Sequence, residues 1–213
     1  MRSIVPLATV AVLITAGWLT RSETATAAAL DPTPAAPVAG AEGPVAGSYE
    51  IDPVHSALVF AVRHADASRF WGRFNAFEGR LEVDTDEPAS SSIVVEVAAE
   101  SVDTANEGRD QHLRGPDFFN AKEFPEIVFE STAVARSEAG FDVTGELTML
   151  GVTKTVRAQA EFVGYSESER FGKRTGYEVS FTIQRSDFGM DYMVGPMLGD
   201  EVRIVFSLEG MAK

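Results

Sequence analysis

From about residue 49 to its C-terminus this chain repeats a hydrophobic period of two, and that period limits the possible folds more than any other feature. In "TKTVRAQAEFVG" Lys154, Val156, Ala158, Ala160 and Phe162 fall on one side, and Thr155, Arg157, Gln159 and Glu161 on the other. "YEVSFTIQRSDF" sets Tyr177, Val179, Phe181, Ile183 and Arg185 against Glu178, Ser180, Thr182 and Gln184. "EVRIVFSLEG" does the same with Val202, Ile204, Phe206 and Leu208 against Arg203, Ser207 and Glu209. Successive side chains of a strand point to opposite faces, so the alternation gives strands with one dry and one wet face. It predicts eight strands, roughly at 49–64, 69–84, 91–100, 126–136, 140–150, 153–166, 174–187 and 200–211. Most links are short and rich in Gly, Asp, Glu or Ser, as in "LGVTK", which makes neighbours antiparallel. An all-β, eight-stranded antiparallel sheet of this kind removes its edges by closing into a barrel. Its interior is then filled by side chains or holds one slender ligand.

Upstream the pattern is different. A basic start, Met1-Arg2-Ser3, precedes the uncharged run Ile4 to Leu19, and Ala25-Thr26-Ala27 and Ala27-Ala28-Ala29 offer small-x-small cleavage sites. Residues 1–29 read as a secretory signal peptide, with a retained N-terminal anchor as the alternative. The apolar run is shorter than the roughly 20 residues that cross a bilayer. Residues 30–47, rich in Pro, Ala and Gly, read as a disordered linker, and 48–213 as one domain. Export then places the protein in the periplasm or outside the cell. Loss of Arg2, Arg21 and Glu23 with the signal would leave 16 basic of 18 and 31 acidic of 32 side chains, a net charge of −15. Such a surface repels phosphate backbones, so no nucleic-acid partner is expected. The absence of cysteine removes thiol nucleophiles, thiolate metal sites and disulfides together.

The 101–125 connection, between the third and fourth strands, is the one long link, and it alone carries helical signals. Asp103 or Thr104 is the expected N-cap of a short helix over 104–113. On it Arg109 and Leu113 share a face, as do Ala105, Gly108 and His112. The helix runs into Phe118 and Phe119, which either plug the barrel or flank the entrance to a cavity, with Arg109 and His112 available to a polar or anionic head group. No metal is expected: His55 and His64, nine apart on one extended strand, would face opposite sides about 30 Å apart. No G-x-S-x-G or H-E-x-x-H motif occurs, and the carboxylates of "LEVDTDE" read as a solvated strand end. Fourteen Phe against two Trp and four Tyr make the aromatic surface largely free of polar handles. Met190, Met193 and Met197 add adaptable apolar contacts at one rim.

"DPVHSALVFAVRH" (52–64), "WGRFNAFEG" (71–79), "SVDTANEGRDQHLRGPDFFNAKEFPEIVFEST" (101–132), "GELTMLGVTKTV" (145–156), "IQRSDFGM" (183–190) and "LGDEVRIVFSLEG" (198–210) together resemble the YceI-like family, in the family's order and over essentially all of 49–211. The resemblance implies a lipocalin-like barrel that holds a long amphiphile, such as a polyisoprenoid or isoprenoid quinone, without a separate cofactor. On this reading the tail lies along the inward residues that alternation selects: Leu58, Phe60, Val62, Phe74, Phe129, Leu147, Phe181, Ile183 and Phe206. The head sits near the insertion, where Arg109, Asp110, His112, Phe118 and Phe119 match the family's R-D-x-H-L…F-F stretch. His64 and Arg185 match other polar positions. Family members commonly carry His where this chain has Leu150, which either alters head-group preference or only concerns the hairpin.

The expected function is therefore an exported, non-enzymatic lipid-binding barrel whose partner is the lipid. It would meet a membrane only transiently or through an uncleaved N-terminal segment, and a homodimer is possible. The alternatives are an enzyme acting on such a lipid, with His64, His112 or Asp110 as acid or base, and a filled structural or stress-response barrel.

Overall fold

In a computed structural model, residues 43–138 and 140–213 are described. The expected signal peptide and linker residues 30–42 lie outside them. Each of the first three expected strands is broken in two. β1 (Gly47–Ile51) and β2 (Ala57–His64) form the first, β3 (Ser68–Phe74) and β4 (Phe77–Val83) the second, and β5 (Ser92–Ala98) and β6 (Val102–Asp103) the third. Helix α1 (Glu107–Leu113) follows, then β7 (Glu126–Ser137), β8 (Gly140–Met149), β9 (Val152–Ser168), β10 (Gly172–Gln184) and β11 (Leu198–Ala212). Strands pair in the order β1-β4-β5-β7-β8-β9-β10-β11, and β1 pairs again with β11 to close the ring. At one end β2, β3 and β6 continue the wall from β11. Counted as continuous paths these segments make eight antiparallel strands, closed as a barrel, and the alternation is seen directly in β9, where Val156, Ala158 and Ala160 are buried between exposed neighbours.

The breaks have local causes. Pro53 cannot donate to a ladder, and the Asp52 carboxylate accepts the Val54 N–H at 2.9 Å, turning the chain between β1 and β2. The second and third strands break beside each other: the Ala98 N–H donates to Ala76 O at 3.0 Å, and the Asn75 N–H to Ser101 O at 3.1 Å. Beyond this level β6 pairs with β3, while β7 begins at Glu126 opposite Ala98. A gap in the wall results, and the 104–125 insertion covers it.

The helix is shorter than expected. Its N-cap is Asn106, whose side chain accepts the Arg109 N–H at 3.0 Å, and neither Asp103 nor Thr104 caps it. The reason is that both have other partners. Asp103 accepts the Ala105 N–H at 2.9 Å, Thr104 donates its N–H to Asp110 at 2.8 Å, and Ala105 takes a left-handed φ of 59° that a helix excludes. Arg114 fixes the other end, donating to the carbonyls of Glu100 at 2.6 Å and Val102 at 3.0 Å.

Large rings lie along the barrel wall because glycines make room for them. A Cβ on Gly72 would come within 2.3 Å of the Phe60 ring, and one on Gly145 within 2.5 Å of the Phe129 ring. Each ring thus lies over a position with no side chain, and the centre of the lumen is left free. Rings do approach each other in places, as where Phe129 and Phe181 stack with centroids 6.3 Å apart although β8 and β9 lie between their strands.

Candidate functional site

An apolar cavity of about 490 Å³ occupies the barrel, within the roughly 300–1,000 Å³ usual for small-molecule sites. Its lining reaches from Glu82 and Ser92 at one end to His64 and Tyr192 at the other. The inward residues selected by alternation all line it: Leu58, Phe60 and Val62 from β2, Phe74 from β3, Phe129 from β7, Leu147 from β8, Phe181 and Ile183 from β10, and Phe206 from β11. The side chains between them include Val143, Ala158, Tyr177 and Val179. Charged groups are few: Glu82 lies at the first end, and Arg109, Arg185, His64 and His112 lie at the insertion end.

That end is built by four pieces: the β2–β3 hairpin, the insertion, the β8–β9 hairpin and the loop between β10 and β11. The insertion delivers Arg109, His112, Leu113, Phe118 and Phe119 to the cavity, and β2 delivers His64. Arg109 is exposed and oriented by Thr104, to whose Oγ1 and carbonyl it donates, each at 2.7 Å. Its guanidinium stacks over the Phe70 ring, 4.3 Å from the centroid. Those two bonds leave part of its five-donor fork for an acceptor at the mouth. His112 bonds Asp117 at 2.9 Å and meets the edges or faces of Phe118 and Tyr192, with ring centroids 5.1 and 5.5 Å away. Phe118 and Tyr192 complete the triangle at 5.4 Å, and Phe119 packs on Phe74 at 5.3 Å. The two phenylalanines therefore form part of the mouth's wall without closing it.

Two expected head residues serve the scaffold. Asp110 is buried and does not line the cavity; its carboxylate accepts both the Thr104 N–H and the Thr104 hydroxyl. A carboxylate fixed in this way shapes the turn before α1, a role that helical spacing cannot reveal. Arg185 does touch the cavity but is only 2% exposed. It donates to the carbonyls of Gly199 at 2.8 Å, Met190 at 2.9 Å and Leu198 at 3.3 Å, and burial holds its pKa below the ordinary arginine value. Its first structural task is to fold the β10–β11 loop. Leu150 sits at the β8–β9 hairpin tip with a φ of 54°, and is not among the lining residues.

Sequence reasoning missed Tyr192, which is far from His112 along the chain and belongs to no periodic segment. It also missed a second polar cluster, outside the cavity, at the β1–β2 break. There Asp52 bonds His55 at 2.9 Å and Arg174 at 2.7 Å, and Arg174 reaches Glu209 at 3.1 Å. The His55 hydrogen bond, helped by those from the Val54 N–H and Arg174, outweighs burial and lowers the Asp52 pKa to about 2. The same bond raises the pKa of His55. Ligand atoms of Asp52, His55 and Glu209 lie within 4.8 Å of one another, a spacing a metal ion could use. Arg174 bonds both carboxylates and His55 bonds Asp52, so the cluster works as an ion-pair network. The bend that the histidine argument required is present, yet it joins His55 to Asp52, not to His64.

Residues 49–210 match the family model described as a YceI-like domain. A UPF0312 protein of Pseudomonas aeruginosa is 37% identical over 169 residues, covering 78% of this chain and 88% of the relative. Among solved structures, Burkholderia cenocepacia BcnA superposes with a TM-score of 0.64 at 25% identity, covering 75% of this chain and 98% of that one. A polyisoprenoid binding domain from Saccharophagus degradans superposes with a TM-score of 0.56 at 14% identity, covering 78% and 98%, which shows the shared fold. No helix among the described residues is long and apolar enough to cross a membrane. With its closed eight-stranded barrel, the matched model over nearly the whole domain and close relatives in sequence, the chain belongs to the YceI-like family.

Proposed function

We propose that this protein is an exported carrier that holds one long amphiphilic lipid, a polyisoprenoid or isoprenoid quinone in class, without transforming it. The observation that carries this reading is the apolar cavity of about 490 Å³, lined along its length by Leu58, Phe60, Phe129, Phe181, Phe206 and their neighbours. The polyisoprenoid-binding description of the Saccharophagus degradans domain points to the same ligand class, and the 1–29 segment supports export. Each methylene buried is worth about 0.8 kcal/mol, so a tail of some tens of carbons would nominally exceed the ~20 kcal/mol ceiling on noncovalent affinity before ordering costs are subtracted. Affinity thus comes from the tail. Arg109, His64 and His112, placed at the cavity's charged end, choose direction and head group.

Native mass spectrometry after gentle purification tests this. The expected result is a bound lipid mass on the wild-type barrel. A protein that purifies empty and takes up neither an offered polyprenol nor an isoprenoid quinone would defeat the reading.

A further inference from the structure

Of the large apolar side chains that the barrel leaves exposed, four fall within six residues of the loop between β10 and β11: Tyr192 at 38%, Met193 at 48%, Val194 at 41% and Met197 at 53%. Single exposed apolar residues are common on soluble proteins, but a cluster of this kind marks a contact surface. Tyr192, Met193 and Met197 also line the cavity, so the apolar lip and the apolar lumen are continuous. The lip is held out by design of the loop. Phe188 and Met190 anchor its start in the core, the buried Arg185 gathers the carbonyls of Met190, Leu198 and Gly199, and the Gly195 N–H closes the tip onto Leu198 O at 3.0 Å. Met193 keeps a left-handed φ of 54° within it.

The wall beside this lip differs from the rest of an acidic molecule. The chain carries a net charge of −14, yet here Arg63 faces Arg69 across β2 and β3, and Arg203 on β11 lies opposite Ala61, whose other cross-strand partner is Trp71, 49% exposed. Acidic neighbours are present but partly engaged: Asp66 pairs with Arg63 at 3.2 Å and Asp200 accepts from Ser186, while Glu201 and, next to Tyr192 on the loop itself, Asp191 are exposed. An aromatic and aliphatic tip flanked by arginines and an exposed Trp is the composition that favours the boundary between headgroups and acyl chains.

We infer that the mouth of the barrel docks on a lipid bilayer, with Tyr192, Met193, Val194 and Met197 entering the headgroup layer and Arg63, Arg69 and Arg203 meeting lipid phosphates. This inference rests on the lipid-carrier reading and adds where the ligand crosses. A tail that passes from bilayer to lumen along a continuous apolar lip never has to be hydrated over its length, which is the main barrier to moving such a molecule.

The chain has no cysteine, so Met193→Cys takes a single environment-sensitive fluorophore, and Phe171→Cys, on the β9–β10 hairpin at the opposite end, takes the same label as reference. With vesicles of phosphatidylcholine and phosphatidylglycerol, the label at 193 should shift to the blue and the label at 171 should not. In the variant Val194→Glu, at the lip residue that does not line the cavity, the rate of lipid transfer between vesicles should fall about tenfold, a factor that corresponds to about 1.4 kcal/mol, while lipid bound at equilibrium stays within about twofold. Equal responses at 193 and 171, or a Val194→Glu variant that transfers at the wild-type rate, overturn the docking proposal. So does a response at 193 that follows protein concentration without vesicles, since the lip would then join two copies of the chain. Loss of equilibrium binding in the unsubstituted protein would instead strike the carrier reading, which the mass measurement detects on its own.

Discussion

The barrel holds two clusters of charged side chains, each with a histidine and an arginine, and they differ in where their hydrogen bonds go. At the β1–β2 break Asp52, His55, Arg174 and Glu209 bond one another across two neighbouring strands and a turn, away from the cavity. At the mouth Arg109 and His112 each take partners from their own insertion, Thr104 and Asp117, and keep a face toward the lumen. Partners distant in sequence tie the fold together, so the first cluster contributes stability. Local partners only aim a side chain, so the second is left able to meet a ligand. A histidine and an arginine close together are therefore no sign of a binding site until their partners are known.

The comparison can be broken in the lumen first. Ala158 is buried on β9 and lines the cavity, and Ala158→Trp should occupy the space of the tail. Bound lipid measured by mass spectrometry should fall at least about tenfold, with an overpacking cost of about 1–3 kcal/mol in denaturant unfolding. Retained lipid would mean that the ligand lies elsewhere, and the mouth cluster would lose its meaning.

At the break, Asp52→Asn should cost about 1–3 kcal/mol by the same unfolding measurement, because it leaves Arg174 with Glu209 alone and unties His55. Lipid occupancy should not change. If occupancy fell while stability held, the two clusters would have exchanged roles.

The pH dependence follows with its signs. Asp52 has a folded pKa of about 2, below its ordinary 3.8, so its contribution is present above the unfolded value and is lost as pH falls from about 4 through about 2. His55 has a raised pKa, so its contribution is complete below the ordinary 6.5 and disappears as pH rises through the folded value. The thermal midpoint should fall at both extremes. The Asp52→Asn variant should lose both slopes, and a variant that kept them would locate the titration in other groups.

The smallest effect belongs to Arg109→Ala. Total lipid bound should change by no more than a few-fold, while competition between a polyprenol and a quinone of equal tail length should shift about two- to fivefold, the scale of one exposed charged hydrogen bond. A folded variant that lost all lipid would show that the head, not the tail, carries affinity.

Much of the fold was legible because a barrel strand records its two environments residue by residue. The alternation at Val156, Ala158 and Ala160 or at Tyr177, Val179 and Phe181 follows directly from a wall with a dry inside, and of these all but Val156 line the cavity. The breaks were less legible. The first, at Pro53, fell inside a strand read as continuous over 49–64, and those at Asn75 and at 99–101 depend on strands meeting their neighbours, and hence on the closed ring.

By itself, the sequence determined the period, the number of strands, the position of the insertion and the oily character of the interior, since each depends on residues near in the chain. Only the tertiary structure decided that rings rest over Gly72 and Gly145 and leave a lumen, that Asp110 turns away from it, and that Tyr192 meets His112. Those outcomes depend on which distant strands become neighbours when the sheet closes, and no local pattern of polarity carries that information.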